Sequence, residues 1–297
     1  MLTECLALGC AFLAAVSNVV IAPVAKEGRA LRLLAIRSGL TTLFLLAPVL
    51  LLSPRSTLGV ITLHGISLLL LVSGPAFGAG VVIYYRGIRS LGLAKVYPII
   101  STYPLFSALL ALVVLGEKPH LSVVAGTVVI VLGVWLIASR PDERDGGAPR
   151  RLVRTAHSWL AISFGAPMLF AISFGADKMA LDAGVPPLVA NLVRTFSVAA
   201  LSVAASTLRR GGLDLGSWSG GSWARVALAV LVGDIIGHYA YFAAMQIGTV
   251  STVVPLSATA PLFVVPLARL ILKEPITWPM ALGTSLTVGG LILVLIR

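Results

Sequence analysis

Apolar runs long enough to cross a bilayer follow one another along the whole chain, and this limits what it can fold into. A hydrocarbon core about 30 Å thick needs about 20 apolar residues for each helical crossing. Such runs lie at about 3–23, 31–52, 65–86, 94–116, 120–139, 158–181, 186–208, 222–246, 250–272 and 276–296. In lipid a segment must satisfy its own backbone hydrogen bonds, which leaves helices or closed barrels. The runs are too long and too evenly apolar for the alternating pattern of a barrel. Hydrophobic residues make up 58% of the 297, and charged residues only 11%. A soluble domain carries about 25% charged residues. The expected fold is an all-α membrane protein with no separate soluble domain.

A second constraint is an internal repeat. The longest polar interval, "RPDERDGGAPRRLVRTAHS" at 140–158, divides the spans into two sets of five. A shift of 157 residues brings Pro98 onto Pro255, Pro104 onto Pro261, Glu117 onto Glu274, Gly126 onto Gly283 and Gly133 onto Gly290. Tyr84 falls on Tyr241 and Arg37 on Arg194. Over residues 84–140 the two copies share 17 of 57 positions, and no gap is needed from the second span onward. Apolar composition alone would not place prolines, glycines and acids in one register. The expected organisation is a first five-helix repeat at 1–140, a linker at 141–157 and a second repeat at 158–297.

An odd number of spans per copy requires the copies to be inverted. The basic residues agree. In the first half Lys26, Arg29, Arg32, Arg86, Arg89 and Lys95 crowd the loops after spans 1 and 3. In the second half Arg209, Arg210, Arg225 and Lys273 sit after spans 7 and 9. With the linker, one face collects 15 basic residues and the other 4. The positive-inside rule makes the richer face cytoplasmic and places both termini outside. The fold expectation is therefore ten transmembrane helices as two inverted five-helix repeats. The net charge of +11 is scattered over short loops, without a basic arm or interleaved aromatics, so it suits lipid headgroups better than nucleic acid. Cys5 and Cys10 lie in one apolar run without a CxxC, which argues against a disulfide framework or a zinc site. The start, "MLTECLALGC", lacks a basic n-region and a clear cleavage site, and reads as a retained first helix.

The repeat carries a resemblance. "YYRGIRSLGLAKVYPIISTYPLFSALLALVVLGEKPHLSVVAGTVVIVLGVWLI" and "YFAAMQIGTVSTVVPLSATAPLFVVPLARLILKEPITWPMALGTSLTVGGLILVLI" each resemble the signature half of the EamA-type drug/metabolite transporters. Each has a small-residue turn after the third helix, a Pro-Leu-Phe step, a terminal Glu and a glycine-spaced helix. Arg37 and Arg194 match a family position. The resemblance implies ten helices, a central cavity, and export or exchange of small metabolites by alternating access across the plasma (inner) membrane. It also implies cytoplasmic termini, against the charge count, and both orientations stand open.

Candidate residues follow from what is costly in a membrane. Proline inside a helix removes a hydrogen bond and clashes with the preceding turn. Matched broken helices in two inverted halves point to a binding site at their interface. Pro98, Pro104, Pro255 and Pro261 are therefore candidate hinges, or static kinks that shape packing. Tyr97 and Tyr103 flank the first two prolines, and Tyr84, Tyr85, Tyr239, Tyr241 and Phe242 extend the aromatic supply. Charges within spans cost at least about 2.5–3.5 kcal/mol and tend to be functional. Asp234 and His238 are four apart on one helix face with Tyr241, suited to taking up a proton or a substrate ammonium, or to fixing that helix against Arg194. Arg37 and Arg194 offer forks for a carboxylate or phosphate, or cap and snorkel. Asp177 and Lys178 read as local partners, and Asn18 as a neutral cavity residue. Glu117 and Glu274 are expected on amides of tight turns or on Lys118 and Lys273. Gly126, Gly133, Gly283 and Gly290 form close-approach faces, either scaffold or a homodimer contact.

Taken with these residues, the resemblance implies a secondary active transporter of small polar metabolites such as amino acids, an exporter or exchanger embedded in lipid. No Walker A stretch provides for ATP, and no cofactor or metal is expected. An intramembrane enzyme using Asp177, Asp234 and His238 is the alternative, although HExxH and GxSxG are both missing.

Overall fold

The computed structural model describes residues 1–27, 30–52, 62–91, 96, 100–138, 161–208, 218–272 and 278–296. Tyr97, Pro98, Lys273, Glu274 and the linker at 141–157 lie outside the described residues. Every regular element among the described residues is helical. We number them α1 (Leu2–Glu27), α2 (Ala30–Leu52), α3 (Leu63–Leu68, continued by Leu69–Ser73 and Gly74–Leu91), α4 (Tyr103–Val114), α5 (Leu121–Ala138), α6 (Ala161–Gly165 continued by Ala166–Asp182), α7 (Pro187–Leu208), α8 (Gly220–Ala229, continued by Val230–Gly237 and His238–Ile247), α9 (Val250–Ser257), α10 (Ala260–Leu272) and α11 (Trp278–Leu295). The segments Leu69–Ser73, Ala161–Gly165 and Val230–Gly237 are π-helical.

Five of these helices are long and apolar enough to cross a membrane: Leu2–Ala25, Ala30–Leu51, Leu63–Arg89, Pro187–Leu208 and Gly220–Ile247. Shorter apolar helices cover Tyr103–Val114, Leu121–Leu136, Val250–Val264 and Leu282–Leu295. Their outer faces carry large exposed apolar side chains, among them Leu43, Leu71, Val113, Leu132 and Leu208. An apolar surface this extensive suits lipid and not water.

The prolines do something different from kinking a continuous helix. Ser101 and Thr102 form a turn, and Pro104 stands in the first turn of α4, with Leu105 N–H donating to the Thr102 carbonyl at 3.0 Å. Ala258 and Thr259 form the matching turn, Pro261 opens α10, and Leu262 N–H donates to the Thr259 carbonyl at 2.8 Å. The ninth span is thus broken into α9 and α10. Proline fits the first turn of a helix because its missing N–H would have had no partner there. Pro255 and Pro266 lie inside α9 and α10 and are true internal prolines.

The glycine faces meet one another within the chain. A Cβ added to Gly126 would stand 2.6 Å from the Gly290 carbonyl, and one added to Gly133 would stand 2.6 Å from the Gly283 carbonyl. Here α5 and α11 touch backbone to backbone, as small residues allow. This is the scaffold use, and a homodimer through the same four glycines would require this helix pair to part.

Glu117 does find backbone amides, but distant ones. Its carboxylate accepts from the Val250 and Ser251 amides at 2.8 and 3.0 Å, capping α9 in the other half of the chain. A negative charge is favourable at that positive helix end. Ties at the same end of the bundle join Thr62 to the Ala183 carbonyl, Lys178 to the Met245 carbonyl and Ser122 to the Ile296 carbonyl. Glu117→Ala leaves two amides without their acceptor and is expected to cost about 2 kcal/mol, with Glu117→Gln milder. Thermal midpoints of the purified variants check this, and an unchanged midpoint for the alanine variant would contradict it.

Candidate functional site

A cavity of about 210 Å³ lies at the centre of the bundle, walled by α1, α2, α3, α4, α6, α7, α8 and α9. Of the eight residues expected to hold substrate (Asn18, Arg37, Tyr97, Tyr103, Arg194, Asp234, His238 and Tyr241), all but Tyr97 line it. The eighth, Tyr97, lies outside the described residues. Helices from both halves contribute, and much of the wall is aromatic, with Phe77, Tyr84, Tyr85, Phe170 and Phe174 joining the tyrosines.

Two arginines organise the polar part, and each has its own acid. Arg37 on α2 grips Asp234 on α8 with a two-pronged contact: Nε donates to Oδ2 and Nη2 to Oδ1, both at 2.7 Å. Its Nη1 donates to the Tyr85 hydroxyl at 2.8 Å, and Nη2 also reaches Ser17 Oγ at 2.9 Å. Thr41 Oγ1 donates to Asp234 Oδ2 at 3.1 Å. A buried ion pair needs this many hydrogen bonds, because desolvation would otherwise exceed the attraction. Gly233, one residue before Asp234, lets α8 come close: a Cβ there would collide with Ser17. The π-helical stretch Val230–Gly237 carries this glycine and Asp234 together, and such turns recur at functional sites.

Arg194 on α7 is almost fully buried, at 1% exposure. Its Nη1 donates to Asp177 Oδ2 on α6 at 2.8 Å. Asp177 Oδ1 accepts from Ser73 Oγ at 2.5 Å, and Ser73 meets Ser173 at 3.0 Å. The Tyr241 hydroxyl reaches Asp177 Oδ2 at 3.5 Å. The guanidinium carbon lies 4.5 Å from the centroids of both Phe77 and Phe242, and 5.8 Å from that of Tyr241. The rings solvate the charge through their negative faces.

These pairings correct two sequence expectations. Asp234 is fixed by Arg37 and not by Arg194. Asp177 partners Arg194, while Lys178 turns to Asp182 at 2.9 Å and the Met245 carbonyl at 3.2 Å. Periodicity gives the face of each helix but not which helix it meets. The Asp234–His238 pair is loose: Nδ1 stands 3.9 Å from Oδ1, outside hydrogen-bond range, and the imidazole sits edge-on to Phe77 at 5.6 Å. Asp177, Asp234 and His238 therefore do not meet as one acid–base set, since each carboxylate is held by its own arginine. Asn18 accepts from the Tyr84 hydroxyl at 3.2 Å. Tyr103 packs on Phe174 and Phe170, at 5.3 and 6.2 Å.

Ser17, Thr41 and Ser73 are partners of the charged groups that the sequence reading omits, and Tyr85 enters it only as part of the aromatic supply. Tyr85 adjoins Tyr84 and Ser17 adjoins Asn18, so a polar pair within an apolar span was the available signal. Ser73 offers no such signal.

The repeat register reappears in the contacts. Position 77 corresponds to 234 and position 37 to 194 under the shift of 157. Arg37 grips Asp234, and Arg194 lies on Phe77. One contact is charged and its counterpart aromatic. The pairings Gly126–Gly290 and Gly133–Gly283 exchange under the same shift.

Comparison with known proteins adds the family. The family model for the EamA-like transporter family matches residues 1–139 and again 157–296. A solved structure described as "Crystal structure of protein" shares the fold, with a TM-score of 0.73 at 19% identity over 96% of this chain and 94% of that one. No curated protein matches. Two family matches, covering nearly the whole multi-pass helical chain, place it plainly: the protein belongs to the EamA-like transporter family of the drug/metabolite transporter superfamily.

Proposed function

We propose that the protein is a secondary active transporter of the plasma (inner) membrane that exports or exchanges small polar metabolites, amino acids among them, by alternating access. The observation that carries this reading is the central cavity, where seven polar and charged residues from both halves converge in a chain of a transporter family. Ten crossings form two inverted five-helix repeats, 1–140 and 158–297, around the linker 141–157. The exchange of contacts under the repeat shift and the two family matches support this. In this reading α9 and α10 make one broken crossing, and the breaks before Pro104 and Pro261 are bending points. Opening at the end where Glu117 caps α9 requires that tie to release.

Purified protein in sealed vesicles tests the function. Saturable counterflow of a labelled amino acid is expected. Flux that rises linearly without saturation would indicate a channel, and a chemically altered product formed in detergent would indicate an enzyme. Pro104→Ala and Pro261→Ala restore an N–H at each break and let helix propagate through it. Both variants are expected to reach the membrane and to transport several-fold more slowly. Wild-type rates in both would remove the bending role.

A further inference from the structure

We infer that Arg194 is the anion subsite of the cavity, and that it takes the carboxylate of a small organic acid with a flat apolar body. The inference rests on the transporter reading and divides the two arginines between different tasks. Arg37 has a partner on each of its three nitrogens: Nε, Nη1 and Nη2 donate to Asp234, Tyr85 and Ser17. Arg194 spends Nη1 on Asp177, but its buried Nη2 has no hydrogen-bond partner among the described residues. A buried charged donor left unpaired is costly. Arg194 also lines the cavity, so an acceptor held there would complete it.

What the site lacks is an acceptor and not a donor. Asp234 holds Arg37 on both oxygens and Thr41 on one, so its charge is already matched in place. A charged oxygen is the strongest partner for a guanidinium N–H. The unpartnered Nη2 carries two N–H groups, which one carboxylate can take. A doubly charged phosphate would call for a second cation, and the other arginine lining the cavity is already engaged. Phe170, Phe174, Tyr103 and Tyr241 supply apolar faces beside the subsite, with Phe170 and Phe174 stacked at an interplanar angle of 13°. The carboxylate and Asp177 would then sit on different nitrogens of one guanidinium, Nη2 and Nη1.

Equilibrium binding in detergent tests the assignment, with phenylacetate and phenylacetamide as probes that differ only at the acceptor. Ligand-induced shifts of the thermal midpoint report affinity. Wild-type protein is expected to bind the acid about tenfold more tightly than the amide. Arg194→Gln is expected to abolish that preference. Because it strands Asp177, the double variant Arg194→Gln with Asp177→Asn keeps a hydrogen-bonded neutral pair and serves if the single variant fails to fold. Equal shifts from both probes in wild type, no shift from either, or an acid preference retained in the double variant would each overturn the assignment. Binding in detergent needs no membrane. Acid-selective binding without vesicle flux would therefore count against the transport reading and leave the subsite standing.

Discussion

Asp234→Ala is expected to destabilise the folded protein by about 3–5 kcal/mol, the usual cost of removing one partner of a buried ion pair. The loss is large because Arg37 cannot turn to water. Its guanidinium is held by Tyr85 and Ser17 within the bundle, and its side chain is only 14% exposed. Asp234→Asn keeps the shape and part of the hydrogen bonding, so it should cost less. The double variant Asp234→Ala with Arg37→Met removes both charges and should be closer to wild type than Asp234→Ala alone. Chemical denaturation in detergent of wild type, Asp234→Ala, Arg37→Met and the double variant measures this coupling. A double variant as unstable as the sum of its singles would mean that the pair is not an energetic unit.

Gly133→Leu is the second large effect, through packing instead of charge. The added side chain would start 2.6 Å from the Gly283 carbonyl and the Thr287 amide, both backbone atoms that cannot rotate away. The α5–α11 pair would have to separate along its length. A cost of about 3 kcal/mol is expected, at the upper end for overpacked cores, together with reduced accumulation in the membrane. Gly39→Ala is the matched control, since a Cβ at Gly39 meets nothing within 4 Å and alanine is the better helix former. Its midpoint should hold or rise. Equal losses in the two variants would remove the close-approach role of Gly133.

Much of this site was legible because a membrane makes polar residues conspicuous. Arg37, Arg194, Asp234 and His238 stand out in apolar spans whatever they touch, and all four line one cavity. The repeat register made the broken fourth and ninth spans legible from their prolines. Where the sequence was silent, the missing information was three-dimensional. Asp234 lies on the face of α8 that periodicity gives, but only packing decides that this face meets α2 and so Arg37. Asp177 and Lys178 are neighbours in sequence yet point to different helices. Glu117 reads as the end of its own helix, and nothing local shows that its acceptor oxygens reach the start of α9 in the other half. Ser73 is one small polar residue in an apolar run, and its role depends on Asp177 arriving opposite.

The most direct test of the central claim uses a residue already in the cavity wall. Cys10 lines the cavity, and Cys5→Ser leaves it the only thiol in the chain. If the cavity opens in turn to each side, a membrane-impermeant thiol reagent should modify Cys10 in sealed vesicles whether added outside or trapped inside. Modification from one side only, or from neither, would contradict alternating access.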